Sequence, residues 1–231
     1  MTENKTWTSQ DTLALIWLLA ALALAITFPL WLGFNLPIFT LLFLLIPLVR
    51  LLLTKDAAKI GMGQIPLKSV LKWAGINLGA LILVYAIFEP WSGAYAFLLE
   101  EATAPGTTDP TFAWLSLVDG PGGWAGMFLF SALISIFAEE LCFRGWLLNL
   151  LQPRVGGMCA NVIQAAVFTL PQLIVAFIMP SPVMGLVYVL VYAFGAIGMI
   201  NGWVANKAGA IWPNLIAASL MNLILSLLLL G

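Results

Sequence analysis

Glu139, Glu140 and Arg144 are three charges within six residues, in a run that carries no other charge from 120 to 153. The flanking sequence, Phe-Ser-Ala-Leu-Ile-Ser-Ile-Phe at 130–137 and Trp-Leu-Leu-Asn-Leu-Leu at 146–151, is as apolar as a lipid tail. An ionisable group at membrane depth costs roughly 2.5–3.5 kcal/mol on insertion scales, so such groups turn inward, find partners and mark function. Glu140 and Arg144 stand i,i+4 with the acid N-terminal, the favourable orientation for a helical ion pair. Glu139 then lies on a neighbouring face, free to point at something else. Two more polar side chains reach the same level. Counting about 1.5 Å of rise per residue from the inner helix ends puts Glu139 roughly 18 Å deep, Gln172 roughly 20 Å and Asn222 roughly 16 Å. Three helices would thus bring polar groups together near the middle of a ~30 Å core. The cluster reads either as a functional site or as amides tying helix to helix, each bond worth roughly 0.6–2 kcal/mol.

The elements that must position these residues are membrane spans. The chain has 231 residues, 62% of them hydrophobic and 8% charged, and a mean hydropathy of +1.05. That composition belongs to an integral membrane protein. Long apolar runs, and not ten-residue alternation, predict an all-α polytopic bundle of about seven transmembrane helices. Spans are expected near Thr12–Trp31, Ile38–Leu53, Trp73–Phe88, Trp124–Leu151, Met158–Ile178, Val183–Asn206 and Ile211–Leu230. A turn at Gly33–Pro37 joins the first two, and Pro47 lies inside the second. Pro153 with Gly156 and Gly157 is expected to end the fourth. The first span is too long for a signal-peptide core and is read as retained.

Arg50, Lys55, Lys59, Lys68 and Lys72 form a basic cluster, and Arg154 and Lys207 fall at the same ends of later spans. The positive-inside rule then predicts a cytoplasmic N-terminus and an external C-terminus. The connection 89–123 carries Glu89, Glu100, Glu101, Asp109 and Asp119 with no Lys or Arg, as an outer segment should. It contains a short interfacial helix candidate at Ala94–Leu99. Trp31, Trp91 and Trp124 fall at the outer boundary, and Trp7, Trp73, Trp146, Trp203 and Trp212 near the inner one, as lipid-facing anchors. Gly185, Gly195, Gly198 and Gly202, with Ala217, Ala218 and Ser219, would let helices approach closely. The chain reads as one membrane domain over 1–231. Residues 1–123 supply three spans and the acidic connection, and residues 124–231 supply a four-helix core.

Glu-Glu-Leu-Cys-Phe-Arg-Gly at 139–145 resembles the first motif of the CPBP family, the CAAX prenyl proteases and bacteriocin-processing (Abi) intramembrane enzymes. Phe-Thr-Leu-Pro-Gln at 168–172 is similar to the family's Phe-x-x-x-His, and Ala-Ser-Leu-Met-Asn at 218–222 to its His-x-x-x-Asn. The likeness covers about residues 124–226. By resemblance, Glu139 would be the water-activating base, Arg144 would orient Glu140, and Asn222 would be one oxyanion donor. Both histidine positions differ here, as Gln172 and Ala218, and the chain contains no histidine. Glutamine cannot take up a proton at working pH, and alanine offers no donor. Losing a general acid/base forfeits about 10²–10⁴ in rate, and one oxyanion donor about 10²–10³.

A protease-like fold without catalysis is therefore the leading expectation: an accessory, scaffold or assembly subunit of a larger membrane complex. The expected partners are membrane lipids and other integral subunits. No cofactor is predicted, with a bound lipid, quinone or pigment left open. The first alternative is a CAAX-type endopeptidase with residual activity through Glu139, and the second a transporter or proton path. No metal site is expected, since zinc wants Cys or His ligands and the two cysteines, Cys142 and Cys159, stand apart. A net charge of −1 leaves no nucleic-acid footprint. The expected location is the cytoplasmic membrane of a prokaryote.

Overall fold

The computed structural model describes residues 7–32, 38–103 and 136–230. The Gly33–Pro37 turn, the connection from 104 to 123, the first part of the fourth span and Trp124 lie outside these residues. The described chain is all-helical. Helices α1 (Ser9–Leu32) and α2 (Ile38–Thr54) lead to a short 3₁₀ turn at Ala57–Ile60. Then come α3 (Leu67–Ser92) and α4 (Ala94–Thr103). Helix α5 runs through Phe137–Glu139, Glu140–Leu147 and Leu148–Val155, and is followed by α6 (Gly157–Thr169) and α7 (Leu173–Ile178). Helix α8 joins Pro182–Leu186, Val187–Ile200 and Asn201–Ala208, and α9 is Trp212–Leu230. Stretches at Ser9–Thr27, Leu67–Ser92 and Pro182–Ala208 are long and apolar enough to cross a membrane, and shorter apolar helices fill the bundle between them.

The stop expected at Pro153, Gly156 and Gly157 falls at Gly156, where φ is +83°; α5 runs through Pro153 to Val155. A glycine takes that left-handed backbone without strain, so it is the better stop. The fifth span is not continuous: α6 ends at Thr169 and α7 starts at Leu173. Pro171 lies in the gap, where its ring and missing N–H disfavour an unbroken helix. Gln172 consequently sits at the start of α7, its backbone N–H donating to Thr169 O at 3.0 Å.

Apolar packing forms two main clusters. Leu18, Leu22, Phe43, Ile46, Phe143 and Trp146 join α1, α2 and α5. Leu81, Tyr85, Val187, Tyr192, Met221 and Leu225 join α3, α8 and α9. Trp146, expected at a lipid boundary, is instead 2% exposed inside the first cluster. Helices α6 and α8 meet through small residues. A Cβ built on Gly198 would lie 2.9 Å from Ala165 Cβ, and one on Gly202 only 1.8 Å from Asn161 Oδ1. This is the close approach that a Gly-x-x-x-Gly stripe permits. Asn161 donates to Met199 O at 3.0 Å, and Gln164 donates to Gly198 O at 2.8 Å, fastening the contact with amides.

The segment after α2 folds back under the bundle. Ile60 is fully buried with Leu141 and Ile211. Ile211 N donates to Gly61 O at 2.9 Å, and Trp212 Nε1 to Gly63 O at 3.0 Å. At the same end Asp11 pairs with Arg50 at 3.3 Å and with Arg154 at 3.0 Å. Asn206 donates to Gly157 O at 3.3 Å. The helix ends that bear the basic residues are thus gathered on one face of the bundle.

At the other end, Glu89 binds the start of α4. Its carboxylate accepts from Tyr95 N at 3.0 Å and Ala96 N at 2.8 Å, satisfying donors that a helix N-terminus leaves open. The short helix expected at Ala94–Leu99 is present and runs on to Thr103.

Candidate functional site

Glu140 and Arg144 lie where α5 winds as a π-helix, Glu140–Leu147, with Leu148 N bonded to Phe143 O. Such wide turns are rare and collect at functional sites. The two side chains form the ion pair expected from their spacing, Arg144 Nη1 to Glu140 Oε1 at 3.4 Å. They are 1% and 2% exposed. A buried ion pair holds only if its remaining hydrogen-bonding capacity is met. Glu140 meets that condition through two asparagines, which a third on another helix holds in turn. Asn201 of α8 donates to Glu140 Oε1 at 2.9 Å, and Asn214 of α9 donates to Oε2 at 2.8 Å. Asn77 of α3 donates to Asn201 Oδ1 at 3.0 Å and to Asn214 Oδ1 at 2.9 Å.

The carboxylate sets the orientation of the whole network. It only accepts, so Asn201 and Asn214 must turn their NH₂ groups toward it. Their carbonyl oxygens then both face Asn77, which answers with its own NH₂. One acceptor-only group therefore orders three helices around α5. Asn77 Oδ1 is left without a hydrogen bond among the described residues. Arg144 reaches the opposite way, donating from Nη2 to Ile197 O and placing its guanidinium 4.2 Å from the Phe168 ring centroid. A cation over a ring is favoured most where water is excluded.

The other expected site residues fall elsewhere. Glu139 is half-buried and, among the described residues, makes no hydrogen bond; Arg144, Glu140 and Tyr188 are close enough to act on it electrostatically. Gln172 accepts a hydrogen bond from the Tyr188 hydroxyl at 2.8 Å. Ala218 and Asn222 are half-buried on α9. Asn222 stands eight residues, about two turns, beyond Asn214, and is not a ligand of Glu140. The expected cluster of Glu139, Glu140, Arg144, Gln172 and Asn222 is therefore divided. Glu140 and Arg144 lie in the asparagine network, while Glu139 and Gln172 lie on the Tyr188 side.

Tyr188 belongs to a group comprising all four tyrosines of the chain. Tyr85 and Tyr192 stack at 4.4 Å with planes 1° apart, and Tyr95 packs edge-on to Tyr85 at 5.4 Å. Tyr192 donates to Glu89 Oε2 at 2.7 Å. The sequence signal for the missed network was Asn77, Asn201 and Asn214 themselves, each in or at the end of an apolar span, where an amide needs a partner.

Phe168, opening the second motif, touches both Phe143 at 5.3 Å between centroids and Arg144. The first two motifs therefore share one packed face. Residues 121–224 match the family model described as type II CAAX prenyl endopeptidase Rce1-like. This part of the chain is Rce1-like. The match spans the asparagine network except Asn77, together with Glu139, Gln172, Ala218 and Asn222. No curated protein and no solved structure matches the chain. Over residues 121–224 the chain is similar to CAAX prenyl endopeptidases, and its described residues form an all-helical membrane protein. The nitrogen and sulfur donors that zinc prefers are scarce in this chain. The chain has no histidine, and Cys142 is buried while Cys159 is exposed. Among the described residues no three His, Cys, Asp or Glu side chains gather.

Proposed function

We propose that this Rce1-like protein is non-catalytic and serves as an accessory or assembly subunit of a larger complex in a prokaryotic cytoplasmic membrane. The observation that carries the reading is the bond between Tyr188 and Gln172. At the position where the family motif has a proton-accepting histidine, this chain has an amide whose carbonyl already accepts from a tyrosine. Alanine at 218 removes a second polar group. The Glu140 network supports the same reading, because it joins α3, α5, α8 and α9 into one frame. A rigid frame with lipid-facing helix surfaces is suited to holding neighbouring subunits. Purification from native membrane in mild detergent tests it. A defined set of co-purifying integral proteins is expected, and a solitary monomer would count against the role.

Residual endopeptidase activity is the second reading, favoured by Glu139. This carboxylate is half-buried and without a hydrogen bond among the described residues, so it is placed to take a proton from water. Incubating the purified protein with a prenylated CAAX peptide decides between the two. Cleavage that disappears in Glu139→Gln would establish the peptidase.

A further inference from the structure

Two cavities lie side by side at the basic end of the bundle. One, of about 350 Å³, is lined by Thr8, Asp11, Arg50, Lys59, Asn149 and Arg154, among others. The other, of about 360 Å³, is an apolar groove between α1 and α2, walled by Leu13, Trp17, Leu45, Val49 and Leu53. Arg50 and Trp146 belong to both. We propose that this pair of cavities is a binding site for one anionic phospholipid, with its phosphate among Arg50, Lys59 and Arg154 and an acyl chain along the α1–α2 groove.

The argument is charge complementarity joined to an apolar continuation. Three cationic side chains and one carboxylate line the polar cavity, leaving it net positive. Asp11, 2% exposed, fixes the two guanidiniums by pairing with each. Arg154 is further held 4.3 Å over the Trp7 ring. The cationic edge is therefore positioned before any ligand arrives, which lowers the ordering cost of binding. Guanidinium is the group best matched to phosphate oxygens. Lys59, on the 3₁₀ turn, pairs with Asp56 at 3.6 Å through a half-exposed side chain, which can exchange that partner for a headgroup. Basic pockets between transmembrane helices on the positive side bind anionic headgroups by this means. A free anion would leave the groove unused. A zwitterionic lipid would bring its own ammonium against the same cations.

Native mass spectrometry of the full-length protein, with phosphatidylglycerol or phosphatidylcholine titrated in detergent, tests the site. One phosphatidylglycerol is expected to be retained at concentrations where phosphatidylcholine is not. Lys59→Gln, which leaves the Asp11 pairs intact, should weaken retention several-fold. Arg50→Gln with Lys59→Gln should weaken it by about tenfold or more. Val49→Asn, which alters only the groove, should weaken it as well. Equal retention of phosphatidylcholine would overturn the proposal. So would phosphatidylglycerol binding unchanged by Lys59→Gln and Val49→Asn, or inorganic phosphate displacing the lipid at millimolar concentration. None of these outcomes depends on whether the chain has partner subunits.

Discussion

Tyr188 donates its hydroxyl to Gln172 at 2.8 Å, and the same tyrosine lies within electrostatic reach of Glu139. The relationship ties α8 to the break between α6 and α7, at the level of the first-motif glutamates. It also gives Gln172 a structural partner where the family motif has a histidine. Tyr188→Phe removes the donor while keeping the ring, so it should cost about 1 kcal/mol, the net worth of one hydrogen bond. Thermal unfolding in detergent measures this. A loss several times larger would mean that the hydroxyl supports more than Gln172.

Arg144→Ala should be severe. It leaves the Glu140 carboxylate 2% exposed with no cation, and breaking a buried pair from one side costs about 3–5 kcal/mol. The same change removes the bond to Ile197 O and the contact with Phe168. Glu139→Gln, one residue from the pair, should cost little, because Glu139 makes no hydrogen bond among the described residues. Melting both variants beside the parent checks the contrast. Equal losses would show that the two glutamates share one network.

Asn77 offers a sharper test of how the network is oriented. Asn77→Leu removes two interhelical hydrogen bonds, each worth roughly 0.6–2 kcal/mol. Asn77→Asp should be worse than Leu, although aspartate is the closer match in shape. Its carboxylate would face the carbonyl oxygens of Asn201 and Asn214 with nothing to donate. If Asp is instead the better tolerated, the amides must be turned the other way. Denaturation midpoints of the two variants decide it.

The sequence made the spans legible for a simple reason: about twenty apolar residues in a row have few other uses. The Glu140–Arg144 pair was legible too, since helix geometry fixes what i,i+4 neighbours can reach. The asparagine network was not. Its members come from positions 77, 140, 201 and 214, and no local pattern says which helices will be adjacent. Estimating depth along straight helices pointed to Gln172 and Asn222 instead. That estimate does bring Gln172 to the side of Glu139, by Tyr188, but it misses the break beside Pro171, where Gln172 opens a new helix. Trp146 shows the same limit: an indole near a span end suits a lipid boundary or a core equally well until the neighbouring helices are placed.

Gly145, the glycine that trails the first motif, has a role that spacing alone could not reveal. A Cβ there would lie 2.2 Å from the Ile60 carbonyl oxygen, and one on Gly61 would lie 2.6 Å from Gly145 Cα. The backbone after α2 thus rests directly on α5, and Gly61 holds a left-handed φ of +76° to make the approach. Gly145→Ala cannot be absorbed by a rotamer change, because the atom it meets is backbone. It should lift the 57–63 segment away, expose Ile60 and weaken the bonds from Ile211 and Trp212 to Gly61 and Gly63. Overpacking of this kind costs typically 1–3 kcal/mol or more. The control is Gly79→Ala on α3, where an added Cβ meets nothing within 4 Å. There the helix-propensity gain of up to about 1 kcal/mol should leave stability unchanged or raised. Limited proteolysis adds a local readout. Cleavage after Lys55 or Lys59 should accelerate in Gly145→Ala and stay at the parental rate in Gly79→Ala. Parental cleavage in both variants would mean that the segment is held by its own turn and by α9, and not by α5.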